Sequence, residues 1–174
     1  MARASVFILL AAVTIFGQGV RLLSPSAFPE LPAGVASELK RRGCSIPQAS
    51  GDFPRHNAIR GHFARPHQFD WAVLCSTRGS SSILVFWNGS AANVSSIEPQ
   101  ADHIRMQSNA AGKMVYSRKI EPVGKDYIGE HYRAYGGPEP PPIDHQGIND
   151  IFVGKASVVL YLYQGKWLHL TGAD

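Results

Sequence analysis

The sequence predicts an α+β fold: an antiparallel β-sheet of about five to seven strands with two short helices and one disulfide. Three observations predict it. Short apolar or alternating runs recur between turn-rich stretches, at 71–75 (WAVLC), 83–87 (ILVFW) and 157–163 (SVVLYLY). Helical spacing of apolar residues appears after Pro32 and again after Asp126. Cys44 and Cys75 are the two cysteines of the 174-residue chain.

The chain opens on a leader. Met1, Ala2 and Arg3 give a positive start, and residues 4–16 (ASVFILLAAVTIF) form an unbroken apolar run. Small residues follow at Gly17, Gly19, Ser26 and Ala27. This pattern predicts a secretory signal peptide over residues 1–27, cleaved either at 17–19 or after Ala27. The run is shorter than the roughly 20 residues of a membrane-spanning helix. Extending it meets Gln18 and Arg21, which are costly in hydrocarbon. Residues 28–174 are expected to form a single globular α+β domain, secreted or periplasmic, with no stable membrane span after cleavage. In that oxidising setting Cys44 and Cys75 are expected to pair.

Composition is that of an ordinary globular protein, with 17% charged and 44% hydrophobic residues. The formal charge of +4 falls without residues 1–27, which hold Arg3 and Arg21 and no acid. Lys40, Arg41 and Arg42 are the one tight basic run, too short for a nucleic-acid footprint, so no nucleic-acid partner is expected.

Each element has a local reason. Pro32 suits the first position of a helix, Leu31, Val35 and Leu39 make one apolar stripe, and Lys40 to Arg42 fall in the last turn, against the negative end of the dipole. Gly43 stops the helix and Cys44 pins it to the sheet. Residues 58–63 are a weak strand. The runs 71–75 and 83–87 are strands buried on both faces, joined through the turn-rich 76–82. Residues 88–112 are polar, with weak strand signals at Ile97 and Ile104 and glycosylation sequons at Asn88 and Asn93. Residues 114–120 (MVYSRKI) read as another strand. Asp126 caps a second helix over 127–135, ended by Gly136 and Gly137 before the stiff, proline-rich 138–142. Finally 157–163 alternates, Gln164 and Gly165 make a two-residue turn, and 166–170 returns as the partner strand.

The acidic segment 144–150 is the candidate site. Hard cations take several oxygens around a tight loop. Asp144, Gln146, Asp150 and the Ile148 carbonyl are the expected ligands of a weak structural calcium ion, calcium being the one cofactor considered and none being required. The alternative is a turn whose Asp and Asn side chains bond nearby amides. The seven histidines include no His-Glu-x-x-His motif, and no Gly-x-Ser-x-Gly elbow occurs. Trp87, Tyr161, Tyr163 and Trp167 are the candidate binding aromatics for a protein or saccharide partner, set against ordinary packing on half-buried strands.

Residues 61–73 (GHFARPHQFDWAV) resemble the FG-GAP (integrin-type) repeat, matching it at Gly61, Phe63, Asp70, Ala72 and Val73. His62, Ala64, Pro66 and His67 stand where that repeat carries Asp, Asn, Asp and Gly, which implies a lost calcium site in this copy. Residues 144–150 resemble a second, partly retained copy feeding a strand pair. The whole chain is also similar to small exported bacterial proteins of unknown function. They share an early helix, a cysteine pair, a DWAVLC-like strand and a terminal GKWLxLTGAD-like hairpin. That resemblance implies secretion and one domain, with no activity attached. The expectation is a secreted or periplasmic non-enzymatic binding or envelope-associated domain. The alternative is a small exported hydrolase using Asp144 and Asp150 as acid and base.

Overall fold

The computed structural model describes residues 20–51 and 53–173. In chain order they form β1 (Arg21–Leu23), α1 (Ala33–Arg41), β2 (Ile46–Gln48), β3 (Ala58–Gly61), β4 (Asp70–Thr77), β5 (Ser80–Phe86), β6 (Val94–Ala101), β7 (Met106–Ser108), β8 (Met114–Tyr116), β9 (Arg118–Val123), α2 (Lys125–Tyr135), β10 (Gly147–Phe152), β11 (Ala156–Tyr163) and β12 (Lys166–Thr171). The α+β character, the antiparallel pairing, the two short helices and the disulfide agree with the sequence. The single sheet does not. Twelve strands make four sheets: two four-stranded meanders, β3-β4-β5-β6 and β12-β11-β10-β9, and the ribbons β1-β2 and β7-β8. Two features account for the difference. The strand expected over 114–120 breaks at Ser117, whose N–H donates to the Arg105 carbonyl, and 147–152 forms a strand instead of a loop.

The two meanders pack face to face between the helices, because alternate residues of each strand serve opposite layers. Ala72, Leu74, Ile83 and Val85 of the first sheet meet Ile120, Ile148 and Leu160 of the second. On the outer face of the first sheet, Trp71, Val73, Leu84 and Phe86 cover Val35 and Leu39 of α1. On the outer face of the second, Val159, Tyr161 and Leu170 pack with Ile128 of α2. The edges are tied as well. Asn57 donates to the Arg118 carbonyl and accepts from Ile120 N–H, joining the β3 and β9 sides. His169 Nε2 lies 2.7 Å from Glu98 Oε1 where β12 faces β6.

Helix α1 follows its apolar stripe, with Val35 and Leu39 fully buried. Glu38 is held down to about 2 by hydrogen bonds from Arg41 and then Arg42. Cys44, next after the helix, is bridged to Cys75 of β4, with Cα atoms 5.1 Å apart. The terminal hairpin closes as expected: Gln164 and Gly165 both take positive φ, +48° and +75°, the type I′ turn that matches strand twist.

Residues 1–19, where the leader is expected, lie outside the described residues. Residues 20–27, expected within it, belong to the fold. Arg21, Leu22 and Leu23 pair with Gln48, Pro47 and Ile46, Leu23 packs against the α1 core, and Pro25 is buried. Cleavage at 17–19 keeps β1, whereas cleavage after Ala27 removes it. Mass spectrometry of exported protein is expected to find a start close to residues 18–20. A chain starting at Phe28 with undiminished stability would contradict the role given to β1.

His56 adds a pH dependence. Its Nε2 accepts from Ala49 N–H at 2.8 Å, and its Nδ1 faces the Pro54 carbonyl at 2.9 Å. This arrangement needs the neutral ring. Burial pushes its pKa below the ordinary imidazole value. The unfolded chain therefore takes up the proton first, at about pH 6.5, and stability falls as pH drops below that point. Urea unfolding at pH 7.5 and 5.5 checks this, and His56→Gln is expected to flatten the slope; a slope of the opposite sign would refute it.

Candidate functional site

The acidic segment divides between two environments. Gly147–Phe152 is β10, an inner strand paired with β9 and β11, so its side chains alternate between faces. Ile148 and Asp150 enter the layer between the sheets. Asp150 Oδ1 accepts from Arg118 Nε at 2.9 Å, and its Oδ2 accepts from Arg118 Nη2 at 3.0 Å and Arg105 Nη2 at 3.2 Å. Arg118, fully buried, also donates to Ser81 Oγ and the Glu98 carbonyl of the opposite sheet. The cluster is an inter-sheet tie.

Asp144 lies in the connector between α2 and β10. Its carboxylate is 69% exposed and accepts from the Tyr161 hydroxyl at 3.1 Å. Gln146 Oε1 accepts from His62 N–H at 2.9 Å, while Gln146 N–H donates to the His62 carbonyl. A hard cation requires six to eight converging oxygens. The four expected calcium ligands do not converge, and Asp150 is already matched by two guanidinium groups, so calcium does not fit this donor set. An Asp144–Asp150 acid–base pair has no shared cleft either: Asp150 is buried between the sheets against two guanidinium groups, whereas Asp144 is exposed in the connector before β10.

The loop that carries the FG-GAP resemblance is organised by Asp70, which is fully buried. Its Oδ2 accepts from the backbone N–H of Phe63 and Ala64, and its Oδ1 from Gln68 Nε2 and Asn88 N–H. Four donors saturate this carboxylate. Gly61 is required by close approach, because a Cβ there would lie 2.6 Å from the Phe63 ring and 2.9 Å from Gln146 Oε1. The two resembling segments are thus hydrogen-bonded to each other across the ends of the sheets.

Several histidines are spent on backbone carbonyls. His62 Nδ1 faces the Gln68 carbonyl, and His131 Nδ1 faces that of Tyr127. His145 stacks on Tyr161 at 4.3 Å with its two ring nitrogens against the Gln146 and Leu162 carbonyls. Among the described residues no three His, Cys, Asp or Glu side chains are grouped as metal ligands.

The candidate aromatics also split. Tyr161 is fully buried under α2, with Tyr163 packed beside it. Trp87 and Trp167 stack at 6.0 Å on the rim of the inter-sheet core, where Trp87 Nε1 donates to Ser95 Oγ. They do not form one face.

Two side chains that the sequence did not single out stand apart. Among the described residues, the buried side-chain oxygens without a hydrogen-bond donor are Asp102 Oδ1 and Asn149 Oδ1. Unpaired buried oxygens carry a desolvation penalty of about 1–3 kcal/mol, so each asks for a reason. Each residue lines a cleft. Asp102 opens the 3-10 turn after β6 and is 7% exposed. Its N–H donates to the Gly79 carbonyl and its Oδ2 accepts from Ser76 Oγ at 2.5 Å. Its cleft, about 710 Å³, has Val20, Leu22 and Met106 as apolar walls and Arg78 and His103 at exposed positions. Ser45, beside the disulfide, completes the floor. No alternation or motif marks Asp102, because its partners are distant in sequence.

Among the described residues no helix is long and apolar enough to cross a membrane. In comparisons with known proteins, no family model, curated protein or solved structure matches the chain.

Proposed function

We propose that the chain is an exported, non-enzymatic binding domain, secreted or periplasmic and acting in or near the envelope, whose ligand cleft is the one around Asp102. The observation that carries this reading is Asp102, which lines a large, mostly apolar cleft and whose buried Oδ1 lacks a donor. Ligand sites combine apolar walls with a few polar groups that fix orientation. An oxygen that lacks a donor is satisfied by an incoming N–H or O–H. The ligand class is therefore an apolar body headed by a hydrogen-bond donor, such as an amine-bearing apolar segment of a partner protein. The disulfide and the leader support export.

Catalysis has no comparable support. Asp70 and Asp150 are saturated by donors, and Asp144 has no second carboxylate facing it. Calorimetry with n-hexylamine and hexanoate as probes tests the reading. Wild type is expected to prefer the amine by tenfold or more, as for hydrogen bonds to charged groups of about 1.5–3 kcal/mol. Asp102→Asn keeps the acceptor for Ser76 and is expected to lose that preference. Equal binding of both probes, or an unchanged preference in Asp102→Asn, would overturn the assignment.

A further inference from the structure

We propose that a second cleft, on the outer face of the second sheet beside Asn149, binds one hydroxyl-rich sugar residue. The site is separate from the Asp102 cleft and shares no lining residue with it. Its volume is about 400 Å³, within the range of small-ligand sites.

Register places its polar groups together. Glu121 of β9 lies directly opposite Asn149 of β10, and Ser157 of β11 opposite Ile151. Tyr127, in the first turn of α2, closes one side. Asn149 is 98% buried, as its 2% exposure states, yet only half of its amide is used. Nδ2 donates to the Tyr127 hydroxyl at 2.9 Å and Oδ1 has no donor. Exchanging the two amide atoms leaves Nδ2 without an acceptor instead, so either orientation leaves one buried amide atom without a hydrogen-bond partner. The Tyr127 hydroxyl stands 3.5 Å from Ser157 Oγ, which accepts from Ala173 N–H.

The chemistry of the lining selects the ligand. A hydroxyl both donates and accepts, so it satisfies Asn149 in either orientation. Glu121 supplies acceptors, Lys155 supplies donors, and the Tyr127 and Ser157 hydroxyls supply both. Donors and acceptors lining one small volume match vicinal hydroxyls on one ring. A singly charged ligand is disfavoured from both sides. An anion would face Glu121, which is paired with Lys119, and a cation would face Lys155, which sits 4.4 Å over the Phe152 ring.

Titration of 15N-labelled protein with D-glucose, D-galactose and N-acetyl-D-glucosamine, followed by 1H–15N NMR, tests the assignment. At least one sugar is expected to shift the Asn149, Gly154 and Ser157 signals saturably. Glu121→Gln, at a half-exposed position, and Tyr127→Phe are each expected to weaken that binding by about tenfold, the worth of a hydrogen bond or more. Near-UV circular dichroism establishes that both variants stay folded. Four results would overturn it: no saturable shift with any of the sugars, binding unchanged in both variants, shifts confined to the Trp87 and Trp167 indoles, or inorganic phosphate shifting the same signals as strongly as the sugars. The hexylamine calorimetry uses a different probe and a variant at a cleft with no shared lining residue, so failure at one cleft is distinguishable from failure at the other.

Discussion

Asp150→Ala is expected to lower the folding free energy by about 3–5 kcal/mol. Arg118 cannot shed its proton. Without Asp150 it would remain a charge between two sheets, with Arg105 beside it and no carboxylate to face. Domains are stable by about 5–15 kcal/mol in total, so this one change removes a large share. Urea unfolding measures it. The pair itself is a different quantity: Arg118→Leu with Asp150→Leu replaces buried ions by apolar side chains and is expected to recover most of the loss. The tie differs from a metal site in its response, because the loss is expected to be the same in EDTA and in calcium. A change below 1 kcal/mol, or one seen only with calcium present, would contradict it.

Breaking the Cys44–Cys75 bridge is expected to cost about 3–4 kcal/mol, as for a loop of about 30 residues in the chain-entropy model. The bridge joins the end of α1 to β4, the strand whose Trp71 and Val73 cover Val35 and Leu39. Losing it removes the covalent link but leaves the apolar contacts between α1 and the first sheet and the Ser45–Ser76 backbone bridge, so the cost falls on the added freedom of the unfolded chain. Unfolding in the presence and absence of a thiol reductant, with Cys44→Ser/Cys75→Ser as control, gives the size of the effect. An identical midpoint in all three would show that the bridge does not hold the helix in place.

Legibility in the sequence followed local physics. Helix α1 was readable because Leu31, Val35 and Leu39 repeat at one spacing and Gly43 ends the run. The β11-β12 hairpin was readable because strict alternation meets Gln164 and Gly165. Strand β10 was hidden because Gly147, Asn149 and Asp150 belong to residue types depleted in strands. Tertiary context overrides that preference: Arg118, more than 30 positions away, makes Asp150 acceptable between the sheets. Strand β1 was masked by the apolar run at residues 4–16 that precedes it. The candidate sites were the least legible, since what distinguishes Asp102 and Asn149 is a missing partner in space.

The most direct measurement of the central claim is a 1H–15N NMR titration of the protein with n-hexylamine, repeated on Asp102→Asn. The account predicts saturable shifts at Gly43, Ser45, Gly79, Asp102 and Met106, around the cleft, and their loss in the variant. Shifts at Asp144 and Gln146 instead, or the same cleft shifts in Asp102→Asn, would contradict it.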